Sequence, residues 1–202
     1  MLYEKLSTPA ERQAYIAGLD ETFETLLHTG QVYLDRRDYQ VYDCIFLDNR
    51  RWMTEDFRFE VAEGYDATKG QYNWEAATKA CPSGWRLPTS RDFHTLLNAA
   101  CDRLRIPHYV DWVDHYGSHV YPVLKCLASK EQMGFNLSMD SYYSSDYVRY
   151  WGANQATFYN CDGQNERSLG LGRANKENYC YLRLVQDWGN NTRRRTKLKT
   201  LY

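Results

Sequence analysis

The sequence predicts one α+β domain in which strands come first, two helices follow, and a last strand closes the sheet. Three observations support this fold class: a β-prone apolar run within residues 31–61, two helical patterns between residues 73 and 107, and an apolar run over residues 179–185. The 202 residues can bury a complete hydrophobic core without metals or disulfides. The 25 basic and 26 acidic side chains nearly balance, so nucleic acid is not an expected partner. No run of roughly 18 apolar residues occurs, so no membrane span is expected.

The first element is predicted to be a helix over residues 8–30. Thr8-Pro9-Ala10-Glu11 is typical of a helix start, with Thr8 as the N-cap, proline at the first helical position and Glu11 in a capping box. Gly30 is typical of a helix end. Because this helix precedes the rest of the fold, it either packs on its own domain or serves as a docking or homo-oligomerisation element.

The chain is predicted to divide into an N-terminal helix over residues 1–30, a main domain over residues 31–187 and a basic tail over residues 188–202. The positive charges of the tail are Arg193, Arg194, Arg195, Lys197 and Lys199, and no acidic residue accompanies them. Such a tail is expected to be solvated. The alternative partners for it are nucleic acid or an acidic membrane surface.

Two strands and a turn are predicted between residues 41 and 53. The segment from Val41 to Leu47 is β-prone and apolar on nearly both faces, and Asp48-Asn49 has turn chemistry. The next strand begins at Arg51. Residues 64–70 are predicted to be a loop.

Two helices are predicted to follow. Asn73 can cap a short helix that ends at Pro82, and Thr89 can cap a longer one with Asp92 in the capping-box position and Pro107 as its stop. The expected core residues are Trp74, Trp85, Leu87, Phe93, Leu97, Trp151 and Leu182.

The six cysteines are predicted to be free thiols. They are Cys44, Cys81, Cys101, Cys126, Cys161 and Cys180. No Cys-x-x-Cys spacing occurs and no cysteine has a histidine two to five residues away, so no metal or other cofactor is expected. The N-terminus has no basic segment followed by an apolar one, so no Sec signal is expected. The predicted location is therefore the cytoplasm, a phage particle or an injection apparatus, where thiols stay reduced.

Two segments in the middle of the chain resemble a known family. Residues 72–77 (Tyr-Asn-Trp-Glu-Ala-Ala) and residues 80–89 (Ala-Cys-Pro-Ser-Gly-Trp-Arg-Leu-Pro-Thr), followed by Asp92-Phe93, are similar to the Fibrobacter succinogenes major paralogous domain, a bacterial family common in Fibrobacter and Bacteroidetes. The resemblance extends over about residues 40–187. It implies a C-type-lectin-like fold, related to the formylglycine-generating and sulfatase-modifying branch, with a small mixed sheet, two helices and a long loop face. It implies no established enzymatic activity, and most members are regarded as exported surface proteins.

The chain departs from the family at its closing strand. Many members end with Arg-Cys-Val, whose cysteine would pair with the one in the Cys-Pro turn, whereas this chain has Arg183-Leu184-Val185. Cys81 therefore lacks that partner and is expected to lie beside Leu184.

Two enzyme alternatives deserve comparison with a binding function. His115 and His119 have the i, i+4 spacing of a helical metal site, but Gly117 and Ser118 lie between them and the glutamate of the metalloprotease motif is absent. Formylglycine-generating enzymes use a late pair of cysteines, and Cys161 and Cys180 form such a pair here without the surrounding motif. No catalytic residue is therefore predicted.

Residues 130–178 have few periodic apolar runs and are predicted to form long structured loops that bind a protein or a glycan. Their mixture of tyrosine with asparagine, serine and aspartate resembles antibody binding surfaces, in which tyrosine supplies contact area at low entropic cost. The predicted ligand-binding residues are Tyr142, Tyr143, Tyr147, Tyr150, Asn154, Tyr159, Asn160, Asp162, Asn165, Arg167, Asn175 and Asn178. The same composition resembles the variable proteins of diversity-generating retroelements, in which mutation of adenines turns asparagine codons into tyrosine, serine and aspartate codons. That resemblance implies a receptor-binding role in phage or in cell adhesion.

Overall fold

The computed structural model describes Leu6 and residues 8–108, 120–129, 131–137, 148–162 and 167–188; for residues 159–162, 167 and 168 it describes the backbone alone. The helices are α1 (Pro9–Ala17), α2 (Glu21–Thr29), α3 (Trp74–Ala80), α4 (Ser90–Leu104) and α5 (Val120–Ala128). The strands are β1 (Val32–Asp35), β2 (Gln40–Leu47), β3 (Arg50–Met53), β4 (Tyr65–Asp66), β5 (Gln71–Tyr72), β6 (Val148–Trp151), β7 (Ala156–Asp162), β8 (Arg167–Arg173) and β9 (Val185–Asp187). These elements confirm a mixed α+β class with antiparallel sheets.

The N-terminal segment forms two helices, so the prediction of one helix over residues 8–30 is wrong in its continuity. The start is as predicted, because Thr8 and Glu11 form the reciprocal capping box. α1 ends at Gly18, and the Asp20 side chain then accepts hydrogen bonds from the first turn of α2 and so caps a new helix. Gly30, at a φ of 80°, ends α2. The docking or oligomerisation role of this segment, like the domain boundaries, stays a prediction.

A four-stranded antiparallel sheet has the order β1-β2-β3-β9. The predicted turn between β2 and β3 is confirmed: Asp48 and Asn49 have φ values of 44° and 58°, which matches the left-handed pair that a tight hairpin requires. The last strand was predicted over residues 179–185, but β9 starts only at Val185. Cys180 and Tyr181 instead make isolated bridges to Tyr72 and to β6.

A hairpin, a sheet and a helix were not predicted. The expected loop over residues 64–70 holds a small hairpin of β4 and β5. The expected loops over residues 130–178 contain the antiparallel sheet β6-β7-β8. α5 carries Pro122 in its first turn, where a missing N–H breaks no intrahelical hydrogen bond, although the same residue signals a helix end in the sequence.

The core consists of two apolar clusters. The first joins α4 and α5 to β6–β8, and the second surrounds α3 and the turn over residues 81–88. Of the predicted core residues, Trp85, Leu87, Phe93, Leu97, Trp151 and Leu182 are buried. Trp74 is half-buried, with its ring centroid 5.3 Å from that of Trp151. Leu184 is buried in the second cluster and the partly buried Cys81 packs against that cluster; their direct contact stays a prediction.

The cysteines with described side chains form no disulfide. They are Cys44, Cys81, Cys101, Cys126 and Cys180. Within the described ranges, no helix has the length and apolarity that crossing a bilayer requires.

Candidate ligand-binding site

The sheet β6–β8 has two ends that lie far apart. Val148, Asp162 and Arg167 lie at one end, which we call the near end, because Val148 pairs with residue 160 and Asp162 with Arg167. At the opposite end, the far end, Trp151 pairs with residue 157 and residue 156 with Arg173. β7 has seven residues, so at a rise of about 3.4 Å per residue the two ends are about 20 Å apart.

This register divides the predicted binding residues into two groups. Tyr142, Tyr143, Tyr147 and Asn165 lie outside the described residues, but Tyr147 is bonded to Val148, and Asn165 belongs to the four-residue connection between Asp162 and Arg167. Residue 147 and the connection over residues 163–166 are therefore joined in sequence to strand residues of the near end. Asn154, Asn175 and Asn178 follow strands that end at the far end. These three residues therefore lie at the opposite end of the sheet from Val148, Asp162 and Arg167.

Five predicted residues lie on the strands themselves: Tyr150 on β6 and four others on β7 and β8. In backbone register, Tyr159 pairs with Arg149 and Gly170, and residue 160 (asparagine) pairs with Val148 and Leu169. Asp162 and Arg167 form the last pair of the ladder and close the near end.

Tyr150 was predicted to contact ligand, and this prediction is wrong because its side chain is fully buried. Its ring centroid lies 6.2 Å from that of Phe158 and 5.7 Å from that of Tyr181. Tyrosine in this segment therefore also builds the core, and the composition of a segment does not separate the two roles.

The far end is a tightly bonded turn. Asn154 has a φ of 57°, a left-handed conformation that asparagine tolerates better than most residues. The Arg173 guanidinium donates to the Asn154 carbonyl at 3.3 Å, and the Ala174 amide donates to the Gln155 carbonyl at 3.3 Å. The side chains of Asn154 and Asn175 are exposed. The local backbone geometry is thus sufficient to explain why asparagine occupies position 154, without a role in ligand binding.

Arg183 is a buried cation that sequence reasoning did not single out. The Arg183 side chain is 1% exposed, and its Nη2 donates to Asp56 Oδ1 at 2.6 Å. Its Nη1 donates to the Phe135 carbonyl at 2.6 Å, and Nη2 also reaches the Asn136 carbonyl at 3.2 Å. The sequence carries one signal for this residue, because Arg183 lies within an otherwise apolar run. A charge at such a position needs partners if it is buried.

Arg183 keeps its charge in this environment. Burial by itself lowers the pKa of the guanidinium, but the Asp56 carboxylate and the Tyr150 hydroxyl raise that pKa above its ordinary value. The cation is therefore permanent.

A second charged cluster joins the start of α4 to the four-stranded sheet. The Asp92 carboxylate accepts from Arg86 Nη1 at 2.6 Å and from Arg50 Nε at 3.0 Å, and both arginines also contact Asp187. Burial raises the pKa of Asp92, but hydrogen bonds from Arg86 and Thr89 outweigh that effect and hold the pKa well below its usual range. This cluster fixes α4, which the sheet β6–β8 packs against.

The structure describes only one of the side chains that the enzyme alternatives require. Cys180 is fully buried, and burial raises the pKa of its thiol to about 12, so the thiol is neutral near pH 7 and shielded from substrate. The side chain of Cys161 and both His115 and His119 lie outside the described residues. Among the side chains that are described, no three His, Cys, Asp or Glu residues are grouped to hold a metal ion.

No family model, curated protein or solved structure matches this chain.

Proposed function

We propose that this chain is a non-catalytic ligand-binding domain with a C-type-lectin-like fold, which recognises a protein or a glycan at the near end of the sheet β6–β8. The observation that carries the proposal is the strand register. It attaches the segment over residues 138–147 and the connection over residues 163–166 to the same end of one sheet. These two segments contain Tyr142, Tyr143, Tyr147 and Asn165.

The sheet beneath the near end is a rigid support. Phe158 and Leu169 are buried against the helices, and the Phe158 ring stacks on Phe93 of α4 with centroids 5.1 Å apart. Binding residues are found disproportionately on connections that a rigid scaffold positions. Tyrosine and asparagine on such connections supply contact area and adaptable hydrogen bonds.

Matched substitutions at the two ends test the proposal. Ligands are first selected from a glycan array and a phage-displayed peptide library, and the dissociation constant of each hit is measured for Tyr147→Ala and Asn165→Ala. The controls are Tyr179→Ala and Asn175→Ala, which change the same residue types at exposed positions away from the near end. Truncation of the few residues that dominate a binding surface, among which tyrosine is enriched, costs more than about 1 kcal/mol. At least one near-end change should therefore weaken binding about tenfold, which is about 1.4 kcal/mol, and the controls should weaken it less than twofold.

Hits that are insensitive to the near-end changes, or equally sensitive to the controls, would contradict this function. Turnover of a substrate that disappears with His115→Ala or Cys161→Ser would instead support one of the enzyme alternatives.

The receptor-binding subclass depends on where the asparagine- and tyrosine-rich stretches lie in the sequence relative to the buried strand residues. Described strand residues such as Val148 and Leu169 are buried, whereas the asparagine- and tyrosine-rich stretches are joined to the near end. Diversification confined to such stretches would leave the core intact. A near-copy of the codons for residues 140–180, differing at adenines alone and adjacent to a reverse-transcriptase gene, is the expected genomic signature; without it this subclass is wrong.

A further inference from the structure

The helix α2 is amphipathic, but the fold covers its apolar side only in part. Phe23, Leu26 and Leu27 recur at the spacing of one helical face, and each side chain is half-buried. All residues of α2 are described, and none of them is fully buried or belongs to either apolar cluster of the core. A surface helix of a globular protein normally turns such a stripe toward the core. Part of this stripe therefore remains available to a partner.

The C-terminal end of α2 adjoins two aromatic side chains. Gly30 follows Phe23 by seven residues and so falls on the same face, and a Cβ at Gly30 would lie 2.6 Å from the Trp188 ring and 3.1 Å from the Phe46 ring. The centroids of these two rings are 5.2 Å apart. Phe46 is 41% exposed, which is unusual among the large apolar side chains of the described residues. The stripe and the two rings therefore form one partly exposed apolar surface, which we call the α2 surface.

The N-terminal end of α2 is acidic. Glu21 and Glu24 are exposed, and in the described part of the chain no lysine or arginine pairs with either carboxylate. Arg12 is the one arginine or lysine in the sequence over residues 9–30, and its guanidinium is buried and donates to the Asp38 carbonyl at 2.9 Å. The fixed charges that this segment exposes are therefore all negative.

These features define the chemistry of a partner. It must cover apolar surface and bring positive charge to Glu21 and Glu24. A second copy of the chain would bring carboxylates to carboxylates, and such like-charge contacts are costly. The cationic centre of the buried Arg51 lies 5.0 Å from the centre of the Trp188 ring, so the aromatic end favours an apolar group over a basic one. An amphipathic helix with one basic side meets both requirements, as in other helix-in-groove complexes.

We propose that the α2 surface docks a basic amphipathic helix of another protein. The partner's apolar residues cover Phe46 and Trp188, and its lysines or arginines face Glu21 and Glu24. At a rise of about 1.5 Å per residue, the acidic and aromatic ends are about 13 Å apart, so the partner's basic and apolar anchors lie two to three helical turns apart. The α2 surface uses other residues than the sheet β6–β8, and the inference does not depend on the proposed function.

Two synthetic peptides of about 16 residues serve as probes, one of leucine and lysine and one of leucine and glutamate in the same helical pattern. Fluorescence anisotropy of each labelled peptide is measured with the full chain. We expect the leucine–lysine peptide to bind and the leucine–glutamate peptide not to bind. Added salt should weaken the binding, because it screens exposed charges.

The acidic end is tested with the double variant Glu21→Gln/Glu24→Gln, which removes both charges and nearly preserves side-chain shape. The matched control is Glu63→Gln/Glu177→Gln, which removes two exposed charges outside α2. We expect the dissociation constant of the leucine–lysine peptide to rise at least about fivefold in the first double variant and less than twofold in the control.

The aromatic end is tested independently with Phe46→Ala. Its control is Tyr179→Ala, which truncates an aromatic residue that is similarly exposed, at 46%. Phe46→Ala should weaken binding of the leucine–lysine peptide about tenfold, because exposed aromatic residues often dominate a binding surface. The control should change it less than twofold, and urea denaturation verifies that each variant is folded.

Four results would overturn the inference: no saturable binding of the leucine–lysine peptide, equal binding of the two peptides, losses in the α2-surface variants no larger than in their controls, or dimerisation of the wild-type chain that Phe46→Ala abolishes. The last result would mean that a second copy occupies the surface. Each of these outcomes is independent of the binding data for Tyr147→Ala, so failure of this inference and failure of the proposed function are distinguishable.

Discussion

Replacing Asp92 by asparagine is expected to destabilise the fold more than the same change at Asp187, the exposed carboxylate of the same charged cluster. The carboxylate is 4% exposed and accepts five hydrogen bonds of 2.6–3.3 Å, from Thr89, Arg86 and Arg50. Asparagine has nearly the same shape but no charge, and its NH₂ group cannot accept. The change therefore tests the charge and the cap with little effect on packing.

The expected loss is about 2–3 kcal/mol. Removal of a capping side chain costs about 1 kcal/mol, and removal of one partner from a fully buried ion pair costs about 3–5 kcal/mol. The cost for a fully buried ion pair is too large here, because Arg50 and Arg86 are each 33% exposed and keep Asp187 as a partner. Urea denaturation at pH 7 measures the loss, and an unchanged m-value would show that the unfolded state is unaffected.

The matched control is Asp187→Asn, which removes a carboxylate from the same two arginines. Asp187 is 57% exposed, so its contribution should stay below about 1 kcal/mol. The pH dependence gives a second check. The pKa of Asp92 is lower in the folded protein, so its stabilisation is complete above its unfolded pKa of about 4 and is lost as the pH falls through the lower folded value. Equal losses for the two variants, or a wild-type advantage over Asp92→Asn that does not shrink as the pH is lowered from about 4, would refute this reasoning.

The remaining predictions concern thiols, a buried indole and two glycines. Thiol titration of the denatured, unreduced protein should find close to six groups, and two or fewer would mean that disulfides form. Trp151→Phe should destabilise the fold by about 2 kcal/mol in urea denaturation, because Trp151 Nε1 donates to the Tyr72 carbonyl at 2.7 Å in the core; an unchanged midpoint would contradict this. Gly30→Ala should lower stability by at least about 1 kcal/mol, since φ is 80° and the new Cβ would lie 2.6 Å from the Trp188 ring. Gly18→Ala, at a φ of −96°, should be neutral or stabilising, and similar losses for both glycines would refute the argument.

Local chemistry explains which elements the sequence predicted correctly. The starts of α1, α3 and α4 depend on side chains three residues from the amides or carboxylates that they bond, as for Thr89 and Asp92. The β2–β3 turn depends on two adjacent residues that tolerate a left-handed backbone. Interactions of such short range are visible in a sequence. The same local rule also marks Asp20 as a cap, but the apolar pattern continuing to Leu27 concealed the break.

The sheet β6–β8 is concealed for a different reason. Gly170 and Gly172 alternate along β8, and polar residues occupy much of β7, so neither strand shows the alternation of apolar and polar residues that predicts a half-buried strand. Pairing with neighbours stabilises these strands, and a side chain's β-propensity is largely a statement about that context. A loop prediction from composition was therefore wrong where tertiary pairing decides the structure.

Arg183 shows why a site cannot be assembled from composition alone. Its carboxylate partner is 127 residues away in sequence and its first carbonyl partner 48 residues away, and no local pattern links these positions. The tyrosine-rich stretch predicted a surface, but its composition could not show that the Tyr150 side chain is buried and contacts this guanidinium. Because Tyr150 builds the core, the stretch that composition assigns to a surface contains at least one core side chain. Variation along that stretch is then compatible with a constant fold only where it spares Tyr150 and its partners.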